Sequence, residues 1–186
     1  VIDTEPTMHD PKYPKKPSHD GHGRVEFRDV TFTYPDADSP VLSGISFTAE
    51  PGQTTAFIGS TGSGKSTLIS LIPRFYDVSA GQVLVDGVDV RDLRLKDLYG
   101  QIGYVPQKGV LFSGTVKSNI AYGNAKASDT DVNQAAKTAQ ASEFIKKLDG
   151  GIDSDIAQGG SNVSGGQKQR LSIARALAVK PKIYIF

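Results

Sequence analysis

Hydrophobic and polar positions change period several times along the chain, and each change marks an element. Val25 and Phe27 alternate with polar neighbours, and Val30, Phe32 and Tyr34 then alternate one step out of phase, which predicts a strand with a bulge near Arg28 and Asp29. A second alternating run covers Val41-Leu42 and Ile45-Ser46-Phe47 after a turn at residues 35–40. Ala56-Phe57-Ile58 reads as a short strand leading into a glycine-rich loop, and Ser66 to Ile72 reads as the helix leading out. Residues 82–85 and 88–90 flank Asp86-Gly87, a dipeptide suited to the type I′ turn of a hairpin. Further on, a short helix is predicted over 92–99 and a strand over 101–105 that Pro106 ends. Helices are predicted over 128–138, opened by Ser128, and over 142–148, closed by Gly150-Gly151. Leu171, Ala174, Leu177 and Ala178 recur at helical spacing. Early antiparallel strands around a strand-loop-helix unit, with few β-branched runs between 108 and 163, predict a composite α/β fold with a helical insertion.

Residues 1–23 carry a different composition. Four of the ten prolines (Pro6, Pro11, Pro14, Pro17) and all three histidines (His9, His19, His22) fall there, so the segment is expected to run extended over a surface or to serve as a linker. His19-Asp20-Gly21-His22 lacks the rigid surroundings that a metal site needs, and no metal is assigned to it. With 21 Lys plus Arg against 20 Asp plus Glu, the net charge of +1 argues against a nucleic-acid surface built on bulk positive charge. The absence of cysteine removes disulfides and thiolate metal sites. Residue 1 is Val and the opening residues resemble no signal peptide, so the chain is expected to be a piece of a longer polypeptide.

The most informative stretch is Gly59-Ser60-Thr61-Gly62-Ser63-Gly64-Lys65-Ser66-Thr67, which fits the phosphate-binding pattern G-x-x-x-x-G-K-[ST]. Three glycines let successive backbone N–H groups turn inward around phosphate oxygens. Lys65 supplies a point charge for terminal phosphates, and the Ser66 hydroxyl is a hard oxygen ligand suited to Mg²⁺. A polyphosphate with Mg²⁺ is therefore the expected ligand. A second serine-glycine stretch, Ser164-Gly165-Gly166-Gln167, opens the helix that carries Leu171. On physics alone its favoured role is capping, because a helix N-terminus contributes only ~0.3–1 kcal/mol to an exposed anion. A phosphate role would require a second element opposite it.

These stretches occur in a familiar order. Gly59 to Thr67 as Walker A, Val105-Pro106-Gln107 as a Q-loop, Val163 to Gln167 as the signature and Ile183 to Phe186 as a Walker B strand follow one another as in ATP-binding cassettes. Over residues 24–186 the chain resembles the nucleotide-binding domain of an ABC exporter of the multidrug, lipid or peptide type. Phe32-Thr33-Tyr34-Pro35 looks like the A-loop, Arg74-Phe75-Tyr76-Asp77 like the segment after the first helix, and Ser154 to Gly160 like the exporter X-loop. The resemblance implies a P-loop NTPase core with an N-terminal antiparallel β subdomain and a helical subdomain at about 108–170, with residues 1–23 as the linker from a transmembrane domain.

The resemblance also assigns roles. It implies that Tyr34 stacks on adenine, although the residue reads equally as an edge-strand aromatic. It implies that Gln107 reaches Mg²⁺ and the attacking water and that its loop meets the membrane domain, although the position also reads as an exposed loop glutamine. Ser164, Gly165, Gly166 and Gln167 would contact the γ-phosphate held by the Walker A loop of a second nucleotide-binding domain, identical or related, which supplies the missing opposite element. The implied setting is the cytoplasmic face of a membrane within an integral transporter, without nucleic acid. The family continues past the position of Phe186 with a Walker B aspartate, a catalytic glutamate, a D-loop and a switch histidine, so the 186 residues alone are expected to bind ATP weakly or not at all and to hydrolyse it negligibly, while the parent is expected to be an ATPase. Two other readings are a nucleotide-binding regulatory module without turnover and a DNA-repair or chromosome-type ATPase. The short helical segment between the motifs disfavours the second.

Overall fold

In the computed structural model, residues 8–17 and 20–186 are described; Pro6 and His19 lie outside them. The chain divides into two compact units, Val1–Gln101 and Ile102–Phe186.

The first unit is built on a four-stranded antiparallel sheet. Strand β1 (Val25–Phe32) lies between β2 (Leu42–Ala49) and β3 (Ala80–Val85), and β4 (Val88–Asp89) pairs with β3. The phase change along β1 is a bulge. Its pairing with β2 shifts between Phe27 and Val30, Asp29 takes a φ of 48°, and Val25, Phe27, Val30 and Phe32 all stay buried on one side. Without the extra residue, Val30 and Phe32 would point to the opposite face. The turn between β3 and β4 has positive φ at both Asp86 (48°) and Gly87 (80°), as a type I′ hairpin requires.

Helix α1 (Lys65–Leu71) follows the glycine loop and buries Thr67, Leu68 and Leu71. The strand expected before that loop is not formed. Residues 53–58 are exposed and irregular, with Ile58 96% accessible and Phe57 set edge-on against Phe47 of β2, ring centroids 5.0 Å apart. A strand exists only by exchanging backbone hydrogen bonds with a neighbour, and in this unit the ladder runs from β2 to β4 without including this segment. The helix expected over 92–99 also divides. A 3₁₀ turn at Val90–Asp92 is followed by extended Leu93 and Arg94, then by α2 (Leu95–Tyr99).

Described residues of the proline-rich segment bond to other parts of this unit. Asp10 Oδ1 accepts from Leu95 N at 2.8 Å, capping α2 from 85 residues away. Lys15 N donates to Asp92 O at 2.8 Å and its ammonium pairs with Asp92 at 2.8 Å, while Arg74 Nη1 donates to His9 O at 3.3 Å.

The second unit begins with β5 (Ile102–Tyr104), which pairs in parallel with β8 (Ile183–Ile185), the strand expected at the end of the chain. Between them, β6 (Gly114–Thr115) and β7 (Asp155–Ile156) form a two-residue antiparallel ladder around α3 (Val116–Ile120), α4 (Asp129–Thr138) and α5 (Ser142–Ile145). Ser128 caps α4 reciprocally with Asp131, as its sequence predicts; α5 stops three residues short of Leu148, which closes in i→i−3 turns instead. The core joins Val116, Ile120, Val132 and Phe144 to Leu171 and Ala174 of α6 (Gly165–Ala178). Among the described residues no helix is long and apolar enough to cross a membrane.

Candidate functional site

The loop Gly59–Thr67 closes on its own lysine. Lys65 Nζ donates to Gly59 O at 2.7 Å, to Ser60 O at 2.7 Å and to Ser63 Oγ at 3.2 Å, so one ammonium holds both arms of the loop. Gly64 caps α1 in the left-handed conformation (φ 85°), and a Cβ there would stand 2.8 Å from Leu42 Cδ2. Both constraints demand glycine. A Cβ on Gly59 would stand 2.7 Å from Ser63 Oγ, a contact that the exposed serine side chain can turn away from. Ser60, Thr61, Gly62, Ser63 and Ser66 are exposed, and Thr67 is buried. Backbone curled around a cation with an adjacent free-standing hydroxyl fits a polyphosphate and a hard divalent ion.

Tyr34 and Thr67, 33 residues apart, are brought together: Tyr34 Oη and Thr67 Oγ1 lie 2.9 Å apart. The Tyr34 ring stands edge-on to Phe32 (4.8 Å between centroids) and to Tyr76 (5.2 Å). Half-buried Tyr34 is therefore more than an edge-strand aromatic, because it is fixed to the helix that begins at the loop. Tyr76 is a member of this cluster that sequence reasoning placed only as part of the segment after α1. Arg74, its neighbour, is buried and forms a two-point contact with Asp77 at 2.7 and 3.0 Å.

In the second unit, Ser164 and Gln167 form a reciprocal capping box. Ser164 N donates to Gln167 Oε1 at 2.8 Å, and Gln167 N donates to Ser164 Oγ at 3.3 Å. Capping is thus real, and it does not exclude a ligand role. The Ser164 oxygen accepts here, which leaves its O–H free to donate. Gly165 and Gly166 are exposed, with nothing within 4 Å of the position a Cβ would take. Gln107 is exposed on the loop that leaves β5 through Val105 and Pro106.

One cluster escaped the sequence reading. Arg175 donates from Nε to Asn119 O at 2.8 Å, from Nη1 to Val110 O at 2.9 Å and from Nη2 to Asn119 Oδ1 at 3.0 Å. Its guanidinium also lies over the stacked rings of Phe112 and Tyr122, 5.2 and 5.7 Å from their centroids. Burial lowers its pKa, and arginine stays charged regardless. The available signal was its position: with Leu171, Ala174 and Ala178 it completes an i, i+3, i+4, i+7 stripe on the buried face of α6, where a charge needs partners.

Comparison with known proteins agrees with this arrangement. The family described as ABC transporter matches residues 42–186. An uncharacterized ABC transporter ATP-binding protein of Mycobacterium tuberculosis (strain ATCC 25618 / H37Rv) is 50% identical over 189 residues, covering 100% of this chain and 32% of that protein. The ATP-dependent lipid A-core flippase of Chromobacterium violaceum is 52% identical over 155 residues, covering 83% of this chain and 26% of the flippase. Among solved structures, a bacterial Atm1-family ABC exporter with ATP bound matches with a TM-score of 0.92 at 39% identity, over 98% of this chain and 32% of that one. The chain spans about a third or less of the length of these relatives. With a phosphate-loop pattern closed on Lys65, a capped helix after Ser164 and the ABC ATPase fold, the chain belongs to the ABC transporter family.

Proposed function

We propose that this chain is the ATP-binding part of an ABC exporter, and that the longer protein hydrolyses ATP to move a cargo across a membrane. The observation that carries the reading is the loop Gly59–Thr67 drawn around the Lys65 ammonium. In the proposed complex Lys65 turns from the loop carbonyls to the terminal phosphates, while the N–H groups of Gly62 to Ser66 line the phosphate chain. Tyr34, fixed through Thr67, presents its ring to adenine. Ser66 and, independently, Gln107 are the candidates that would hold Mg²⁺, which would supply positive charge to offset the charge developing on the phosphates. Gln107 also orients the attacking water.

Ser164 to Gln167 serve the nucleotide held by a second nucleotide-binding domain, identical or related. The free Ser164 O–H and the open backbone of Gly165 and Gly166 face its γ-phosphate. Differential affinity of ATP for the closed pair shifts the equilibrium toward closure, and hydrolysis removes the contacts that hold it. The pair sits at the cytoplasmic face against transmembrane domains, with residues 1–23 as the connection and 108–170 as the helical part facing them. The names of two relatives, a lipid A-core flippase and a putative multidrug export protein, support a lipid or drug-like cargo.

The test is ATP turnover by the full polypeptide in membranes or lipid nanodiscs. Lys65→Ala and Gln107→Ala should each lower it without loss of the folded protein. Wild-type turnover in the Lys65→Ala protein would overturn the reading.

A further inference from the structure

The loop that begins at Gln107 and the helix that begins at Ser164 meet at Arg175. Asn119, 1% exposed, donates from Nδ2 to Phe112 O at 2.8 Å and to Thr115 O at 3.0 Å, and accepts from Phe112 N at 2.9 Å. Arg175 reaches across from α6 to Val110 O, Asn119 O and Asn119 Oδ1. Residues 110–112 are thereby pinned to α6 through their backbone. Gly109 makes the approach closer still, since a Cβ there would lie 2.9 Å from the Lys168 backbone and 2.9 Å from Ser172 Oγ.

The chemistry of the pin is particular to arginine. Among the described residues no carboxylate pairs with Arg175. A buried cation without a counter-charge is costly unless its donors are matched. Three donors in one rigid plane find three acceptors, and the stacked rings of Phe112 and Tyr122 lie within reach of the guanidinium charge. Lysine would keep the charge but could not span three acceptors in fixed directions. If shape alone were required, an apolar side chain at this position on the stripe would pack against Leu171 and Ala174 at lower cost.

We propose that Arg175 is a positioning residue, fastening the loop after Gln107 to the signature helix so that the two nucleotide-facing loops of this unit keep one mutual geometry. The inference rests on the reading of Gln107 and Ser164–Gln167 as nucleotide-facing. Displacement of either loop by an ångström withdraws a group from the reacting phosphate and leaves the nucleotide contacts of the first unit in place.

Arg175→Lys, Gly109→Ala and Gln107→Ala are compared in the full polypeptide with MgATP, and rates are counted per bound nucleotide. For Arg175→Lys and Gly109→Ala, kcat per site should fall about 10- to 100-fold, with KM for ATP changed by less than about twofold. A purely structural role would lower the melting temperature and the number of binding sites while leaving kcat per site at the wild-type value, and that result overturns the inference. If Arg175→Lys fails to fold, Gly109→Ala decides, because it pushes the loop from α6 without touching the guanidinium. If Gln107→Ala lowers kcat while the other two do not, the inference alone falls. Should Gln107→Ala turn over normally, the reading of Gln107 falls and the inference with it.

Discussion

Gly59–Thr67 and Ser164–Gln167 both set serine and glycine at the start of a helix, yet the support behind them differs. The first leads into a seven-residue helix whose cap, Gly64, makes no side-chain hydrogen bond, and its shape depends on Lys65 bonding back to the loop. The second leads into a 14-residue helix with a reciprocal cap, five buried residues and a half-buried arginine fastening it to its surroundings. In the first loop the group that closes the structure is also the group that would meet phosphate. In the second, structure and ligand contact use different atoms of the same residues. The first loop is therefore held closed by the group proposed to meet phosphate, and the second is held by bonds apart from its proposed ligand contacts.

The comparison breaks most directly at α6. Leu171 is fully buried, so Leu171→Ala should cost about 2–5 kcal/mol. A urea midpoint unchanged by this substitution would remove burial as the source of the second loop's rigidity. Next in size, Lys65→Ala should lower ATP turnover by about 100-fold or more, as loss of an electrostatic clamp does. Its effect on folding should be small, because the ammonium bonds only to loop atoms. A large loss of stability would mean that the first loop is as structural as the second.

Tyr34 gives the finer cut. Replacing it with Ala should weaken ATP binding roughly tenfold, the stacking contribution, while Tyr34→Phe keeps the ring and loses one hydrogen bond to Thr67, worth about 1 kcal/mol. Equal losses of ATP affinity in the two variants would assign the effect to the hydroxyl rather than the ring.

The smallest effect is in the sheet of the first unit. Hydrogen bonds from Arg28 and then Arg24 hold the Glu26 carboxyl down at about 2, against an ordinary value of 4.5. Because the folded value is depressed, this contribution is complete above pH 4.5 and is lost as pH falls toward 2. Glu26→Gln should therefore unfold at slightly lower urea than wild type at pH 7, with the gap closing over that window. A gap independent of pH would show that the carboxylate charge contributes nothing.

Much of this contrast was legible in the sequence, and the failures have physical causes. The bulge in β1 showed as a phase change from Phe27 to Val30, and the hairpin as Asp86-Gly87, because both are local. Ser128 announced α4 for the same reason. Ala56-Phe57-Ile58 has strand composition but no strand geometry, since pairing is a property of neighbours. The start of α2 depends on Asp10, a cap that no local rule anticipates. The ladder of Gly114-Thr115 with Asp155-Ile156 is too short to carry a period. At the site, the glycine loop and the Ser164–Gln167 cap were readable from spacing. The Tyr34–Thr67 bond and the Arg175 pin join residues 33 and 56 or more positions apart and became visible only in the fold.

Each ATP is proposed to be held by Gly59–Thr67 of one nucleotide-binding domain and Ser164–Gln167 of a second. Mixed dimers of the full polypeptide, with each copy tagged separately, test this by ATP turnover. Lys65→Ala disables the first loop, and Gly166→Asp disables the second without steric conflict inside its own chain. If the sites are shared, a dimer with Lys65→Ala in one copy and Gly166→Asp in the other keeps one intact site and turns over ATP. A dimer with both substitutions in one copy and none in the other has no intact site and is inactive. The reverse order of activities would contradict the account.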